Sequence, residues 1–381
     1  FHSPSRDIAF RELSFHSRFL TLSVNIRKPH DKPDRQCYNK HIGQADKFPN
    51  LCPSGKDENN MPGFTTHYIF GMKAYNDMPF TPLKHTIAKY RWLYQLGLQG
   101  PDMFFYNIPI LRHRDYRNVG SYMHEHKVNA FFECCLRRIG TIRSRQQQEE
   151  AISYLAGFIN HYIADSICHP YVYGRIRDPV EAPTSMHHGM HAHLENELDA
   201  ILLWKYKKKK PSEFNQTATI CLNGQEIQFI SHFLASCINE TYYPITYRNN
   251  FQVTPAMVHR SIWALRFGCR TLSDKNGKKK FGIAQDESIF VNHPVASAKM
   301  VTDSVTDYRS SCNLNHEAWD PTRVSTASFV DLFHETLDKC SRVYALLNSA
   351  VTDNMPLDKQ DLSPLLAELG NESYHSGLPV E

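Results

Sequence analysis

The chain has 381 residues, is 41% hydrophobic and 12% aromatic, and carries a formal net charge of +4. This length allows one large core or two smaller ones, and the composition excludes a disordered protein. The small net charge gives no global reason to expect a stable nucleic-acid partner. The basic runs at 205–210 and 275–280 are interpreted either as solvated segments or as groups that steer an anionic substrate.

The sequence shows neither a membrane-spanning segment nor a secretion signal. No apolar run reaches the roughly 18–20 residues that a spanning helix needs. The ten cysteines show no paired metal-type spacing, and Cys134 and Cys135 are adjacent. That usage is typical of free thiols in a reducing compartment, so we predict a cytoplasmic protein, with secretion left open.

Residues 1–60 carry scattered proline and charge without a sustained helical or strand period. Two interpretations compete: an unstructured N-terminal extension, or a segment upstream of the true start. The abrupt change at Met61, in "MPGFTTHYIFGMKAY", favours the second. We therefore expect one domain over 61–381.

The rest of the chain is predicted to be all-α. Helical spacing of apolar residues recurs throughout it. The predicted helical segments are 82–98, 121–139, 147–169, 188–206, 227–240, 255–271 and 327–350. Strand-like alternation is confined to short pieces, one of which favours a small hairpin near 217–229. The prediction is a single multi-helix domain with irregular loops.

The segment "FINHYIADSICHP" (158–170) combines a buried-helix pattern with a titratable stripe. On a helix, Asp165 and His169 lie about 40° and about 80° from His161, while apolar side chains fill the remaining directions. An unpaired charge inside a protein is unfavourable, so this stripe needs a partner. We expect Pro170 to end the helix.

A second stripe lies in "HHGMHAHLENELDAILLW" (187–204). His191 and Glu195 flank the apolar face of this helix, whereas His193 and Glu197 point away and are expected to be solvated. Imidazole and carboxylate groups one helical turn apart can bind one zinc ion. For one histidine alone an ordinary core-edge role is the better explanation, but five such groups on two inward faces favour a cation.

Upstream of these helices, Asp102 follows a Gly-Pro turn in "LGLQGPDMFFY", and His124 lies in "GSYMHEHKVNAFF". Together with "MPGFTTHYIFG", "HAHLENELD" and the tail "GNESYHSGLP", these motifs resemble the zinc-dependent phospholipase C family. That family shares a superfamily of all-helical trizinc phosphodiesterases with the fungal single-strand-specific nucleases. The resemblance covers about 61–381 and none of 1–60.

The resemblance implies up to three zinc ions. The first would be held by Asp102, His124, His161 and Asp165. The second would be held by His169, His191 and Glu195. The third would be held by His67, the shared Asp165 and the N-terminal amine and carbonyl of the mature chain. Removal of Met61 would make Pro62 that terminus, five positions before His67 as in the nuclease branch.

The resemblance further implies hydrolysis of a phosphodiester by a metal-activated water, with Asp102 as a catalytic general base. The substrate would include a phospholipid headgroup, reached through transient contact with a membrane surface. The gap of four residues between Asp165 and His169 is shorter than in the secreted phospholipases, which leaves the lipid substrate open. Alternatives are a nuclease or small-molecule phosphoesterase, and a non-catalytic helical metal-binding protein. The oligomeric state stays open.

Overall fold

A computed structural model describes residues 63–106, 119–176, 184–242, 252–290, 296–303, 308–314, 316, 318–319 and 325–381. All of them lie within one compact unit, Ser54–Glu381. Residues 1–62, which include the predicted extension and Pro62, lie outside the described residues, so the domain boundary at Met61 stays a prediction.

The described residues form twelve α-helices and several short 3-10 helices. The α-helices are α1 (Phe64–Asp77), α2 (Pro82–Lys89), α3 (Arg91–Gly97), α4 (Val119–Glu125), α5 (Val128–Thr141), α6 (Arg145–Arg175), α7 (Thr184–Lys207), α8 (Gly224–Tyr242), α9 (Pro255–Leu272), α10 (Lys278–Phe290), α11 (Phe329–Thr352) and α12 (Ser363–Leu369). Only isolated β-bridges, Ser273–Val301 and Glu372–Pro379, are found in this part of the chain. The predicted all-α class is confirmed.

Two predicted helices are each divided in two. The segment 82–98 changes direction at Tyr90, and 121–139 is interrupted at Lys127, whose left-handed φ of 49° ends the helical path. The hairpin expected near 217–229 is wrong. A 3-10 helix at Gln216–Thr219 and the start of α8 take its place, because the apolar residues that follow have helical spacing and pack into the core.

Helix α6 runs through the centre of the molecule and continues past Pro170 to Arg175, so the predicted end at Pro170 is wrong. Proline removes only one helical N–H, here the one that would bond to the carbonyl of Ser166. The following turn is stabilised by packing, since the Tyr171 ring lies 5.4 Å from the Trp319 ring and 5.7 Å from the Phe329 ring. Burial of these large side chains outweighs the missing hydrogen bond.

A close crossing of α3 and α6 positions the loop that carries Asp102. A Cβ on Gly97 would lie 2.1 Å from the Tyr154 carbonyl, and a Cβ on Gly157 would lie 2.1 Å from the Tyr94 carbonyl. Only glycine permits backbones this close. The chain leaves this crossing directly into the 3-10 helix Gly100–Tyr106, which therefore lies against α6.

Two hydrophobic clusters surround the polar centre. The larger one contains the buried faces of α3, α5, α8 and α9 together with part of α6. The smaller one joins α1, α6, α7 and α11 through residues such as Phe70, Leu202 and Phe333. None of the helices in the described ranges combines the length and the apolarity needed to span a membrane.

Candidate metal centre

The predicted stripe on α6 faces the interior. His161 is fully buried, and Asp165 and His169 are 2% and 7% exposed. The left-handed Gly100 makes room for this stripe, since a Cβ there would lie 2.1 Å from Cδ2 of His161. Gly100 therefore allows the 3-10 helix that carries Asp102 to contact the imidazole ring directly.

A first group of side chains surrounds Asp165. Its Oδ1 lies 3.1 Å from Nε2 of His67, and its Oδ2 lies 3.1 Å from Nε2 of His161. Asp102 completes the group, with Oδ1 3.1 Å from Nε2 of His124 and Oδ2 3.5 Å from Nε2 of His161. Potential ligand atoms of His67, Asp102, His161 and Asp165 all lie within 4.8 Å of one another. Helices α1, α4 and α6 and the 3-10 helix thus converge on one point.

A second group consists of His169, one turn after Asp165 on α6, and of His191 and Glu195 on α7. Oε1 of Glu195 lies 3.1 Å from Nε2 of His169 and 2.8 Å from Nε2 of His191. All three side chains are buried. The two groups are adjacent, since Nδ1 of His169 is 3.7 Å from Oδ2 of Asp165.

Hydrogen bonds to the backbone fix the orientation of three of the histidines. The three contacts are His124 Nδ1–Gly120 O at 2.7 Å, His161 Nδ1–Leu98 O at 3.2 Å and His169 Nδ1–Tyr374 O at 3.0 Å. A carbonyl oxygen only accepts, so each Nδ1 carries the hydrogen and donates it. In the neutral imidazole each Nε2 then has its lone pair directed towards the carboxylates, as in zinc-binding histidines, so zinc would have to displace the Nε2 proton that the metal-free carboxylates favour.

The carboxylates and histidines of the two groups shift one another's pKa values. Burial raises the pKa of the Asp165 carboxyl, but the charges of His161, His169 and His67 outweigh burial and hold that pKa well below its usual range. Burial lowers the pKa of the His169 imidazole, but the negative charges of Asp165 and Glu195 outweigh burial and raise that pKa to about 10. Glu195 has a pKa of about 2, because its two histidine neighbours outweigh the effect of burial.

Several buried atoms of these groups have no hydrogen-bond partner among the described residues. They are Nδ1 of His67, both carboxylate oxygens of Asp102, Nε2 of His161, Oδ2 of Asp165, Nδ1 of His191 and Oε2 of Glu195. Two ligands of one tetrahedral zinc ion lie about 3.3 Å apart, close to the 3.1 Å contacts seen here. The donor set of imidazole and carboxylate therefore fits zinc.

A cavity of about 30 Å³ lies between the two groups. It is lined by Gly63, His67, Asp165, His169 and Glu195, together with apolar side chains. About 10–15 Å³ suffices for one water molecule, so this cavity has room for a small ion and its solvent.

The family model described as zinc dependent phospholipase C matches residues 66–245. Residues 66–245 thus resemble the zinc-dependent phospholipase C family. The matched range contains every predicted ligand except Pro62, and the buried histidine and carboxylate groups together with this family indicate a zinc-dependent hydrolase. Comparison with curated proteins and with solved structures gave no match.

The phospholipase C-like region holds one carboxylate whose position the sequence prediction missed. Asp199 is 3% exposed; its Oδ2 accepts a hydrogen bond from the Thr65 N–H at 3.0 Å, and its Oδ1 accepts one from the Thr66 N–H at 2.7 Å. It therefore anchors the start of α1 just before His67. The sequence did contain a signal for Asp199, since His191, Glu195 and Asp199 repeat the four-residue spacing of His161, Asp165 and His169 on α6.

The C-terminal tail closes the phospholipase C-like centre from a distant part of the sequence. The Tyr374 N–H donates to the His124 carbonyl at 2.9 Å, and the Tyr374 carbonyl accepts from His169. The His375 ring stacks on the His124 ring with centroids 4.8 Å apart. Burial and the neighbouring histidines hold the pKa of His375 well below its usual range.

The pair His193 and Glu197 differs in part from its prediction. The His193 side chain is 44% exposed, as expected, but the Glu197 side chain is only 8% exposed. The segment around Ala298 covers this side of α7, where the Asn196 side chain donates to the Ala298 carbonyl at 2.7 Å. The helical angle alone could not show that covering segment.

Proposed function

We propose that this protein is a phospholipase C-like phosphodiester hydrolase that binds up to three zinc ions. The observation that carries the proposal is the convergence of eight buried histidine and carboxylate side chains from α6 and four other elements, within a region that resembles the zinc-dependent phospholipase C family. Bound zinc would lower the pKa of a water and neutralise charge on the phosphoryl oxygens.

The proposed ligand assignment is the one that the family resemblance implies. The observed group whose ligand atoms all lie within 4.8 Å of one another joins His67, rather than His124, to Asp102, His161 and Asp165. The first ion would be held by Asp102, His124, His161 and Asp165. The second would be held by His169, His191 and Glu195. His67 and the shared Asp165 would hold the third, with the amine of Pro62 as a further ligand. Gly63, which follows Pro62 in the chain, lines the small cavity between the groups and so supports the proposal for Pro62.

Asp102 is the proposed general base. Neither of its buried carboxylate oxygens has a hydrogen-bond donor in the described part of the chain. The carboxylate can therefore accept a proton from a water held between His124 and His161. Tyr374 and His375 cover the same end of the centre and would limit the access of bulk solvent.

A cavity of about 640 Å³ favours a nuclease as the second candidate function. Its wall includes Tyr68, Trp92 and Phe214, with Arg91 and Lys209 as basic groups, a combination that suits stacked bases and a phosphate backbone. None of the proposed ligands lines this cavity. The phospholipase C-like function therefore remains our first proposal.

Zinc-loaded protein should be assayed against phosphatidylcholine, single-stranded DNA and a chromogenic phosphodiester. Release of phosphocholine, with little cleavage of DNA, is the expected result. Cleavage of DNA alone would favour the nuclease. Zinc-loaded protein that turns over none of the three substrates would instead be a helical metal-binding protein without catalysis.

A further inference from the structure

Helix α9 has one face in the core and one face in solvent. Its inner residues Val258, Ile262, Leu265 and Cys269 are buried. The inner face packs against the 3-10 helix that carries Asp102, so closely that a Cβ on Gly268 would lie 2.4 Å from the Tyr106 ring. The helix thus forms the layer outside the proposed catalytic base.

The outer face of α9 exposes two large aromatic side chains. Trp263 is 63% exposed and Phe267 is 49% exposed. Their rings are stacked, with centroids 5.3 Å apart and an interplanar angle of 8°. Contiguous exposed apolar surface, unlike single exposed side chains, marks contacts with a partner or a lipid surface, and these two rings are contiguous.

Three arginines flank this aromatic pair. Arg260, Arg266 and Arg270 lie within about 60° of Trp263 around the helix axis. Arg260 and Arg270 are exposed and Arg266 is half-exposed, and no carboxylate of the described residues forms an ion pair with any of them. Lys275, Lys278 and Lys279, all exposed, follow in the next turn and at the start of α10. The aromatic pair therefore lies beside three arginines whose charge no carboxylate of the described residues neutralises.

We propose that this outer face of α9 binds the surface of an anionic phospholipid bilayer. Interfacial helices combine an aromatic and apolar face with lysine or arginine that meets the headgroup charge. Arginine stems can lie along the acyl boundary while the guanidinium groups reach the phosphates. The proposal goes beyond the proposed function, because binding to a surface requires no turnover.

The alternatives fit the face less well. A symmetric dimer through this face would bring each arginine row against its own copy, which like charge opposes. Single-stranded nucleic acid is bound in a basic groove with stacking side chains, whereas this face is the outside of one helix. A lipid surface satisfies the aromatic pair and the three cations together.

The test uses the full chain and vesicles of phosphatidylcholine with or without phosphatidylserine. Binding is measured by co-sedimentation, and released headgroup is measured in the same samples so that lipid consumption is not mistaken for weak binding. Each arginine near an anionic surface contributes about fivefold in affinity, so Arg260→Gln with Arg270→Gln should weaken binding roughly 25-fold. The matched control neutralises two other exposed arginines, Arg145 and Arg342, which lie outside α9 and form ion pairs with Glu149 and Glu368.

Tryptophan fluorescence gives an independent readout of the contact. Anionic vesicles should shift the emission of the wild-type protein to shorter wavelength, and Trp263→Ser should abolish the shift. Trp204→Phe removes the other strongly exposed tryptophan and should leave the shift unchanged. Equal loss of binding in the control arginine variant, or a shift that survives Trp263→Ser, would overturn the proposal.

The same variants separate the surface from the active centre. Hydrolysis of a water-soluble phosphodiester should be equal in the wild type and in the two arginine variants. If the wild type binds vesicles but hydrolyses nothing, the proposed function fails and the surface stands. Binding of a single-stranded oligonucleotide, but not of vesicles, that is lost in the α9 variants would assign the face to nucleic acid and overturn the lipid proposal.

Discussion

Asp199 and Thr66 are joined by two hydrogen bonds, one from the Thr66 N–H at 2.7 Å and one from the Thr66 hydroxyl at 2.6 Å. A third hydrogen bond, from the Thr65 N–H, also holds this carboxylate against the first turn of α1. His67 is the next residue, and its Nε2 contacts Asp165. The carboxylate of α7 therefore orients a proposed ligand that it does not itself touch.

Asp199→Asn should weaken zinc binding by about 10–100-fold, the usual effect of removing a group that orients a metal ligand. The amide can still accept from Thr66, but its NH₂ group would face the Thr65 N–H, donor against donor. The measurement is a competition titration with a zinc chelator. Asp303→Asn is the matched control, since Asp303 likewise accepts from a backbone N–H and a hydroxyl, both of Ser212. Equal affinities for the two variants would remove the orienting role.

The same carboxyl should give the metal-free protein a recognisable pH dependence. Burial raises the pKa of Asp199 from its ordinary value of 3.8 to about 6, because the hydrogen bonds from Thr65 and Thr66 only partly offset the desolvation. Between these two pH values the folded protein keeps a proton that the unfolded chain has lost. The contribution of Asp199 to stability is therefore complete below about pH 4 and declines as the pH rises through about 6.

Asp199→Asn removes this titration. The unfolding free energy of the variant, relative to that of the wild type, should therefore rise by roughly 3 kcal/mol between pH 4 and pH 7. Urea unfolding of zinc-free protein at several pH values gives the two stability curves. Curves that stay parallel across this window would show that Asp199 is ionised in the fold and that burial does not raise its pKa.

Much of the centre was predictable from local spacing, because a helix repeats its faces every three to four residues. That rule placed His161, Asp165 and His169 on one interior stripe and gave the matching pair on α7. Asp102 and His124 lie in short elements, and only the family resemblance indicated that they are zinc ligands. Tyr374 and His375 reach the centre from the end of the chain, which no local period shows.

Two of the incorrect predictions, for Pro170 and Glu197, share a physical cause. Pro170 stays within α6 and Glu197 is buried, although local rules favoured the opposite in both cases. Packing against Trp319 stabilises the turn after the proline, and the segment at Ala298 covers the α7 face. Tertiary contacts therefore overrode both the proline rule and the helical angle.

His161→Ala should remove about one zinc ion per chain. His161 is fully buried between Asp102 and Asp165, so its loss also leaves two buried carboxylates without their shared imidazole. Metal analysis after gel filtration measures the zinc content, and circular dichroism checks the fold. His193→Ala, an exposed histidine on α7, is the control and should keep the zinc content of the parent. A folded His161→Ala protein with unchanged zinc would refute the ligand assignment.

Gly100→Ala should disturb the same position through the backbone. Gly100 has a φ of 46°, and a Cβ would lie 2.1 Å from the His161 ring. A left-handed alanine alone costs about 1–3 kcal/mol, and the overlap would also displace the imidazole. We expect a lower unfolding free energy and loss of zinc. Gly224→Ala, where a Cβ meets nothing within 4 Å, should change neither quantity.

The role of Pro62 predicts a dependence on the start of the chain. A protein that begins at Pro62 has a free amine five residues before His67, whereas residues 1–61 convert that amine into a peptide nitrogen without lone-pair basicity. The protein that begins at Pro62 should therefore bind about one more zinc ion and hydrolyse phosphodiesters faster than the 381-residue chain. The control carries only Gly-Ser before Pro62, which blocks the amine but leaves out residues 1–61. If this control matches the protein that begins at Pro62 in zinc content and rate, Pro62 is not a ligand; if it matches the full chain, the amine is the deciding group.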